Sequence, residues 1–145
     1  VTGVDSSWGM LDMLDRKIAA QRLKNVRALC VDIDKGERLA GSYDLVTSSM
    51  TLHHIRDIGP LFAQFYGIVR PGGHLCIADL DTEDGLFHDD AAGVFHEGFA
   101  RDRLRKVFEG AGFTDIRDIT ATEMEKPGRD GVVRRFGVFL MTGRK

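Results

Sequence analysis

Short apolar runs and longer periodic segments alternate along the first half of the chain. Apolar runs of strand length are bounded by Gly, Pro, Asp and Ser residues. Two intervening segments carry apolar residues at helical spacing, the first from a capping Ser6 or Ser7 to about Leu23 and the second from Gly59-Pro60 onward. Strands that alternate with helices and are apolar throughout predict an α/β fold with a doubly wound, mostly parallel sheet. The predicted strands are residues 1–5, 26–31, 43–49 and 74–80.

The first predicted helix has one apolar face. Met10, Leu14 and Ile18 recur along it at helical spacing, with Leu11 beside them. We expect these side chains to face a sheet. Two further apolar positions, Cys30 and Cys76, lie inside predicted strands without metal-site spacing, which indicates buried thiols.

The second half of the chain follows another pattern. Residues 81–99 are rich in Asp, His, Gly and Phe without a clear period, which predicts an irregular connection that faces a substrate. A helix is predicted over residues 101–111, with Gly112 as its end. Two strands, 114–124 and 134–142, are joined by a turn too short for a crossover, so they form an antiparallel C-terminal hairpin. The whole chain, 1–145, is expected to form one domain.

Charge and composition restrict the partners. The chain has 145 residues, of which 43% are hydrophobic and 29% charged, and its formal net charge is −2. This balance gives no electrostatic surface for nucleic acid, and the basic residues of the helix over 101–111 spread around it as on a solvated surface. The longest apolar runs are far shorter than the roughly 20 residues that span a bilayer. We therefore expect a cytoplasmic protein without a nucleic-acid or membrane partner.

Four local motifs occur in a fixed order. They are Tyr43-Asp44-Leu45-Val46-Thr47-Ser48-Ser49-Met50-Thr51-Leu52-His53-His54-Ile55, Arg70-Pro71-Gly72-Gly73-His74-Leu75, Glu109-Gly110-Ala111-Gly112-Phe113, and the closing run from Phe136 to Lys145. Their order and spacing resemble class I S-adenosylmethionine-dependent methyltransferases, most closely the small-molecule branch that includes quinone-biosynthesis enzymes. The resemblance implies a Rossmann-like methyltransferase fold, S-adenosylmethionine as cofactor and a small-molecule methyl acceptor.

The resemblance also implies roles for residues at the predicted strand ends. Asp5 would accept hydrogen bonds from the ribose hydroxyls, and Ser6 would line the adenosine. Asp32 would accept the exocyclic amine of adenine, with Ile33 packed on the ring, while Ser48 would leave room for the methyl group. The plain alternatives are a helix N-terminal acid at Asp5, a solvated loop acid at Asp32 and an ordinary strand-end serine at Ser48.

Histidines supply the candidate acid–base chemistry. His53 and His54 are the natural candidates for a base that takes a proton from the acceptor, although methyl transfer needs mainly positioning and either histidine can equally be structural. Residues 88–97 contain two histidines and three acids, but their spacing matches no ligand motif, so no metal site is expected. Aromatic residues near the histidines indicate an apolar acceptor pocket; they are Phe87, Phe95 and Phe99.

One part of the family pattern has no match. The family's first strand, its helix and the Gly-x-Gly-x-Gly loop between them have no counterpart, so we expect an N-terminally incomplete methyltransferase domain that is inactive or binds cofactor poorly. The missing strand leaves a gap between strands 1–5 and 43–49, which predicts a homo-oligomer or domain exchange. The alternatives are a nicotinamide dinucleotide-binding domain and a non-enzymatic interaction module.

Overall fold

The computed structural model describes all 145 residues of the chain. The chain divides into two compact units, Val1–Leu39 and Ala40–Lys145, called unit 1 and unit 2 here. Unit 1 contains β1 (Thr2–Asp5), α1 (Trp8–Ala20), β2 (Arg27–Cys30) and a one-turn 3-10 helix (Ile33–Lys35). Unit 2 contains β3 (Tyr43–Ser49), a 3-10 helix (Leu52–His54), α2 (Ile58–Ile68), β4 (Val69–Leu80), α3 (Arg101–Ala111), β5 (Thr114–Pro127) and β6 (Val133–Arg144).

Unit 1 is a parallel pair of strands with one helix. β1 and β2 pair in parallel from Thr2 opposite Arg27 to Asp5 opposite Cys30. A Cβ atom on Gly3 would lie 2.5 Å from a methyl group of Leu14, so this glycine lets α1 lie close to β1. Both cysteines, at 30 and 76, are free and half-buried.

The inward face of α1 differs from the predicted one. Leu11 is 3% exposed and Met10 is 59% exposed, so Leu11 takes the inward place expected for Met10. Leu14 and Ile18 are half-buried, as expected from their spacing to Leu11. The helix ends at Ala20 instead of Leu23, a difference typical of helix ends.

Unit 2 is a four-stranded sheet with two helices. The strand order is β3-β4-β6-β5, where β3 and β4 are parallel and β6 runs antiparallel to both of its neighbours. α2 and α3 meet through the edge-to-face rings of Phe62 and Phe108, whose centroids are 5.0 Å apart. Apolar side chains of the sheet complete this core, and the completely buried ones are Leu75, Ile77, Phe139 and Met141.

The predicted α/β class with an antiparallel C-terminal hairpin is confirmed, and the strands form two hydrogen-bonded sheets. β4 begins at Val69 and not at the predicted His74. Val69 already pairs with Tyr43 of β3, and the register then shifts so that His74 pairs with Leu45. Gly73 is required there, since a Cβ atom would lie 2.8 Å from the carbonyl oxygen of Asp44. None of the helices has the length and apolar character needed to cross a membrane. The single-domain organisation stays a prediction.

Candidate functional site

The carboxyl ends of β1 and β2 lie side by side. β1 ends at the acid Asp5, and the acid Asp32 lies two residues after the end of β2. The amide of Val31, directly after β2, donates to the carbonyl of Asp5 at 3.1 Å. Because the two strands are parallel, Asp5 and Asp32 leave the sheet at the same edge. Ser6 and Ile33 are the next residues along the chain. Unit 1 therefore brings together at one edge the four cofactor residues that the sequence predicts there.

Asp5 is half-buried and partly engaged. Its Oδ1 accepts a hydrogen bond from the amide of Ser7 at 2.8 Å. Ser7 in turn caps α1, since its Oγ accepts from the amide of Met10 at 3.4 Å. Capping thus falls to Ser7, which leaves the exposed Ser6 and the second carboxylate oxygen of Asp5 available to a ligand.

Asp32 is held by Lys35. Its Oδ1 accepts from the Lys35 amide at 3.3 Å, and its Oδ2 lies 2.8 Å from the Lys35 ammonium. The hydrogen bond from the Lys35 side chain lowers the pKa of Asp32, so the carboxylate is charged at neutral pH. Lys35 thus contacts both carboxylate oxygens of Asp32, one through its amide and the other through its exposed ammonium.

Ser48 lies in unit 2, near the end of β3. It is half-buried and pairs with Ile77 of β4 in the parallel register. Two residues later Met50 has a φ of 52°, which is uncommon for a residue other than glycine. The Met50 amide donates to the carbonyl of Ala78 at 2.9 Å, which helps to hold this conformation. The chain is therefore strained at the point where it leaves the sheet toward His53 and His54.

A buried carboxylate organises the segment after β3. Asp79, in β4, is 0% exposed, and its Oδ2 accepts from the amides of Thr51 at 3.2 Å and Leu52 at 2.9 Å. Its Oδ1 lies 2.6 Å from Nδ1 of His53, which is 1% exposed. Because a carboxylate accepts, Nδ1 carries a proton, and in the neutral ring the lone pair of His53 lies on Nε2.

His54 also uses Nδ1 as a hydrogen-bond donor, but to a backbone carbonyl and not to a carboxylate. Its Nδ1 donates to the carbonyl of Gly93 at 2.8 Å, so its lone pair also lies on Nε2. Unlike His53, His54 is exposed.

A third histidine, which the sequence did not place here, completes a cluster. The ring of His88, from the connection over residues 81–99, lies 4.9 Å from that of His53 and 5.4 Å from that of His54, centroid to centroid. Burial lowers the pKa of His88, and the two neighbouring histidines lower it further. One ring nitrogen from each of the three residues lies within 4.8 Å of the others. We call His53, His54 and His88 the histidine cluster.

A cavity of about 410 Å³ in unit 2 adjoins the cluster, because His88 is one of its walls. Phe95 also lines it, but Phe87 and Phe99 do not. Phe87 packs edge-to-face on Phe136 instead, and Phe99 is buried. The other walls include Glu83, His96, Glu97 and Arg129, so the cavity is more polar than the aromatic residues indicated.

The basic residues of α3 are not all solvated. Arg101 makes a bidentate ion pair with Asp81, with both nitrogen–oxygen distances at 2.6 Å, and this contact raises the pKa of the guanidinium. Arg105 pairs with Asp118 of β5. These pairs tie the first residue after β4 and the strand β5 to α3.

Comparison with known proteins identifies relatives. A family model described as "Methyltransferase domain" matches residues 1–73. Trans-aconitate 2-methyltransferase of Deinococcus radiodurans is 39% identical over 153 aligned residues, covering 92% of this chain and 57% of that protein. An uncharacterized methyltransferase of Schizosaccharomyces pombe is 28% identical over 134 residues, covering 82% of this chain and 47% of that protein. The chain thus spans about half the length of these curated relatives.

Solved structures share the fold. The phosphoethanolamine N-methyltransferase 2 of Haemonchus contortus, solved with S-adenosyl-L-methionine, superposes with a TM-score of 0.77 at 18% identity, over 100% of this chain and 43% of its own. The YcgJ protein of Bacillus subtilis gives 0.79 at 14% identity, over 99% of this chain and 81% of its own. At these identities the likeness concerns the fold alone. Since the family model covers half of the sequence, the predicted resemblance is confirmed and the chain belongs to the methyltransferase domain family.

Proposed function

We propose that the protein takes part in S-adenosylmethionine-dependent methyl transfer to a small-molecule acceptor. The observation that carries the proposal is the pair of acids at neighbouring parallel strand ends, Asp5 and Asp32, in a chain of this family. In open α/β sheets, ligands bind outside the carboxyl ends of the strands. When bound, the cofactor supplies an electrophilic methyl group on a sulfonium.

The residues of unit 1 fit the adenosine part of that cofactor. The free oxygen of Asp5 would accept from a ribose hydroxyl, and Ser6 lies next to it with an exposed side chain. Asp32 would accept from the adenine amine once Lys35 moves, and half-buried Ile33 offers an apolar surface for the ring. An exposed ion pair contributes little to stability, so its loss would cost little.

Unit 2 contains the other residues for which the family resemblance implies a role. Ser48 is small and half-buried near the end of β3, which suits the proposed role of leaving room for the methyl group. His54 is the better placed of the two candidate bases, because its Nε2 lone pair belongs to an exposed ring. His53 is buried against Asp79, which favours a positioning role. The acceptor would be small enough for a cavity of about 410 Å³.

The test is a titration of the protein with S-adenosylhomocysteine followed by two-dimensional amide NMR, which detects weak as well as tight binding. We expect shifts at residues 5–7 and 32–34, and a loss of affinity of at least about 10-fold in Asp5→Ala, the cost of roughly one charged hydrogen bond. Asp15→Ala, an exposed acid on α1, is the matched control. Unchanged binding in Asp5→Ala would contradict the proposal.

The same titration with NAD tests the alternative of a nicotinamide dinucleotide site. Stronger shifts with NAD than with S-adenosylhomocysteine would favour that alternative. A chain that binds neither ligand would favour the interaction module. The cytoplasmic location and the lack of a nucleic-acid partner stay predictions of the sequence.

Self-association is proposed as a second property. β3 is the edge strand of the sheet in unit 2, and its Leu45 is 56% exposed. An edge strand with exposed apolar side chains offers backbone groups for pairing with a second copy of the chain. Sedimentation equilibrium should show dimers that Leu45→Lys weakens. A monomer at all concentrations would contradict this proposal.

A further inference from the structure

Three imidazole rings converge in unit 2 from two distant segments. His53 and His54 lie in the 3-10 helix after β3, and His88 lies in the connection that follows β4. One nitrogen from each lies within 4.8 Å of the other two. In their neutral form the three rings offer lone pairs close together, which suits a ligand that accepts several lone pairs. A divalent metal ion is such a ligand.

Two of the rings make the hydrogen bonds that orient metal-binding histidines. A metal-ligating histidine usually donates its other ring N–H to a carboxylate or to a backbone carbonyl, which fixes the tautomer and the ring orientation. His53 does so to the buried Asp79 at 2.6 Å, and His54 does so to the carbonyl of Gly93 at 2.8 Å. In the neutral form of each ring the lone pair then lies on Nε2, which is the ligand atom available to a metal ion.

The third ring, that of His88, belongs to the connection over residues 81–99, which is hydrogen-bonded to the segment that carries His53 and His54. The amides of Phe95 and His96 donate to the carbonyl of His53 at 2.9 and 3.3 Å. His96 also bonds through Nε2 to the carbonyl of Ile55 at 2.9 Å. These contacts keep the connection over residues 81–99 beside the 3-10 helix, so His88 needs only a local movement to close on the other two.

We propose that His53, His54 and His88 form a binding site for a divalent transition-metal ion, with zinc as the ion that fits best. Zinc bound by imidazole nitrogens at about 2.0–2.1 Å places them roughly 3.4 Å from one another at the tetrahedral angle. The present limit of 4.8 Å therefore has to shorten by about 1.4 Å at most. Three histidines with one open position is an arrangement known for catalytic zinc.

The fourth position would face the cavity, because His88 is one of the cavity walls. A water molecule or an oxygen of a bound small molecule would complete the tetrahedron there. The ion would also link the 3-10 helix to the connection over residues 81–99. This site involves none of the cofactor residues of unit 1, so it stands or fails independently of cofactor binding there. If both proposals hold, zinc and a proton compete for Nε2 of His54, and zinc then inhibits a proton-accepting role.

The test uses the whole chain without a histidine tag, freed of metal and kept at pH 7.5, where imidazole is largely neutral. Zinc chloride is titrated calorimetrically, and cobalt chloride is titrated by visible absorption, because four-coordinate cobalt has intense d–d bands. His88→Gln and His54→Gln each remove one ligand. His74→Gln is the matched control, since His74 is exposed on β4 outside the cluster. Circular dichroism verifies that each variant is folded.

We expect one zinc ion per chain, a four-coordinate cobalt spectrum, and a loss of affinity of at least about 10-fold in both cluster variants, with no change in His74→Gln. Binding that the cluster variants leave unchanged would assign the metal to other groups and overturn the proposal. No binding at millimolar zinc would overturn it as well. So would a six-coordinate cobalt spectrum with more than one ion per chain.

Discussion

Unit 1 and unit 2 are folded by different forces. Only two large apolar side chains of unit 1, Leu11 and Val31, are buried, while Trp8 is 75% exposed. Unit 2 contains all the other buried apolar residues, among them five phenylalanines that are at most 5% exposed. A segment of fewer than about 40 residues rarely builds a sufficient core. Unit 1 therefore depends mainly on local interactions, such as the helix cap and the pairing of its two strands, whereas a buried core stabilises unit 2.

Large-to-small substitutions should show the largest difference between the two units in the free energy of unfolding that is lost. Phe139→Ala removes a completely buried ring from β6 and should cost about 3–5 kcal/mol. Leu29→Ala, at a side chain 41% exposed on β2, should cost less than about 1 kcal/mol. Urea unfolding followed by far-ultraviolet circular dichroism measures both. Equal costs would mean that unit 1 depends on burial as much as unit 2 does.

The buried carboxylate of unit 2 should have the next largest effect. Asp79→Ala leaves the amides of Thr51 and Leu52 and the N–H of His53 without their acceptor, so we expect a loss of about 3 kcal/mol. Asp44→Ala is the control, because its ion pair with Arg70 is exposed and should contribute less than about 1 kcal/mol. Thermal unfolding compares the two. A small effect of Asp79→Ala would show that water replaces the carboxylate.

Helix caps offer a smaller and more local comparison. Ser7→Ala removes the side-chain cap of α1 in unit 1, and Asp57→Ala removes that of α2 in unit 2. Each should cost about 1 kcal/mol. Hydrogen exchange read by mass spectrometry should show faster exchange throughout α1 in the first variant, but only in the first turn of α2 in the second, because core packing retains the rest. Faster exchange along the whole length of both helices would contradict the comparison.

The smallest effect should be a pH dependence at the hairpin turn. A hydrogen bond from Arg134 lowers the pKa of Asp130 to about 2. Because this is below the value of about 3.9 for an unfolded aspartate, the contribution is complete above pH 4 and is lost as the pH falls through 2. Asp130→Asn should remove this acid-dependent part of the unfolding curve, and 1 M NaCl should reduce it. Glu109→Gln, at an exposed acid of α3, should leave the curve unchanged.

Local pattern was sufficient to predict most elements. The bounds predicted for the strand over 43–49 and the helix over 101–111 are those of the structure, because Gly112 and the apolar spacing act within a few residues. The edge shared by Asp5 and Asp32 also follows from parallel strands. The inward face of α1 was wrong at Met10, because the direction in which a helix faces depends on the sheet beneath it.

The histidine cluster could not be predicted in the same way. His88 reaches His53 through the path of an irregular connection, which no sequence period determines. Asp79 did leave a signal, since an acid inside the apolar run 75–80 needs a buried partner. The resemblance to methyltransferases directs attention to the cofactor side, and a ligand set drawn from two separate segments has no spacing to recognise.

The position of β6 has a consequence for biosynthesis. The last strand of the chain lies between β4 and β5, so the sheet of unit 2 cannot close until residues 133–144 have left the ribosome. Until then β4, with the completely buried Leu75 and Ile77, lacks a neighbour on one side. A nascent chain in this state exposes an apolar strand edge that invites aggregation. A translation pause before β6 is complete would therefore prolong the exposure of this strand edge.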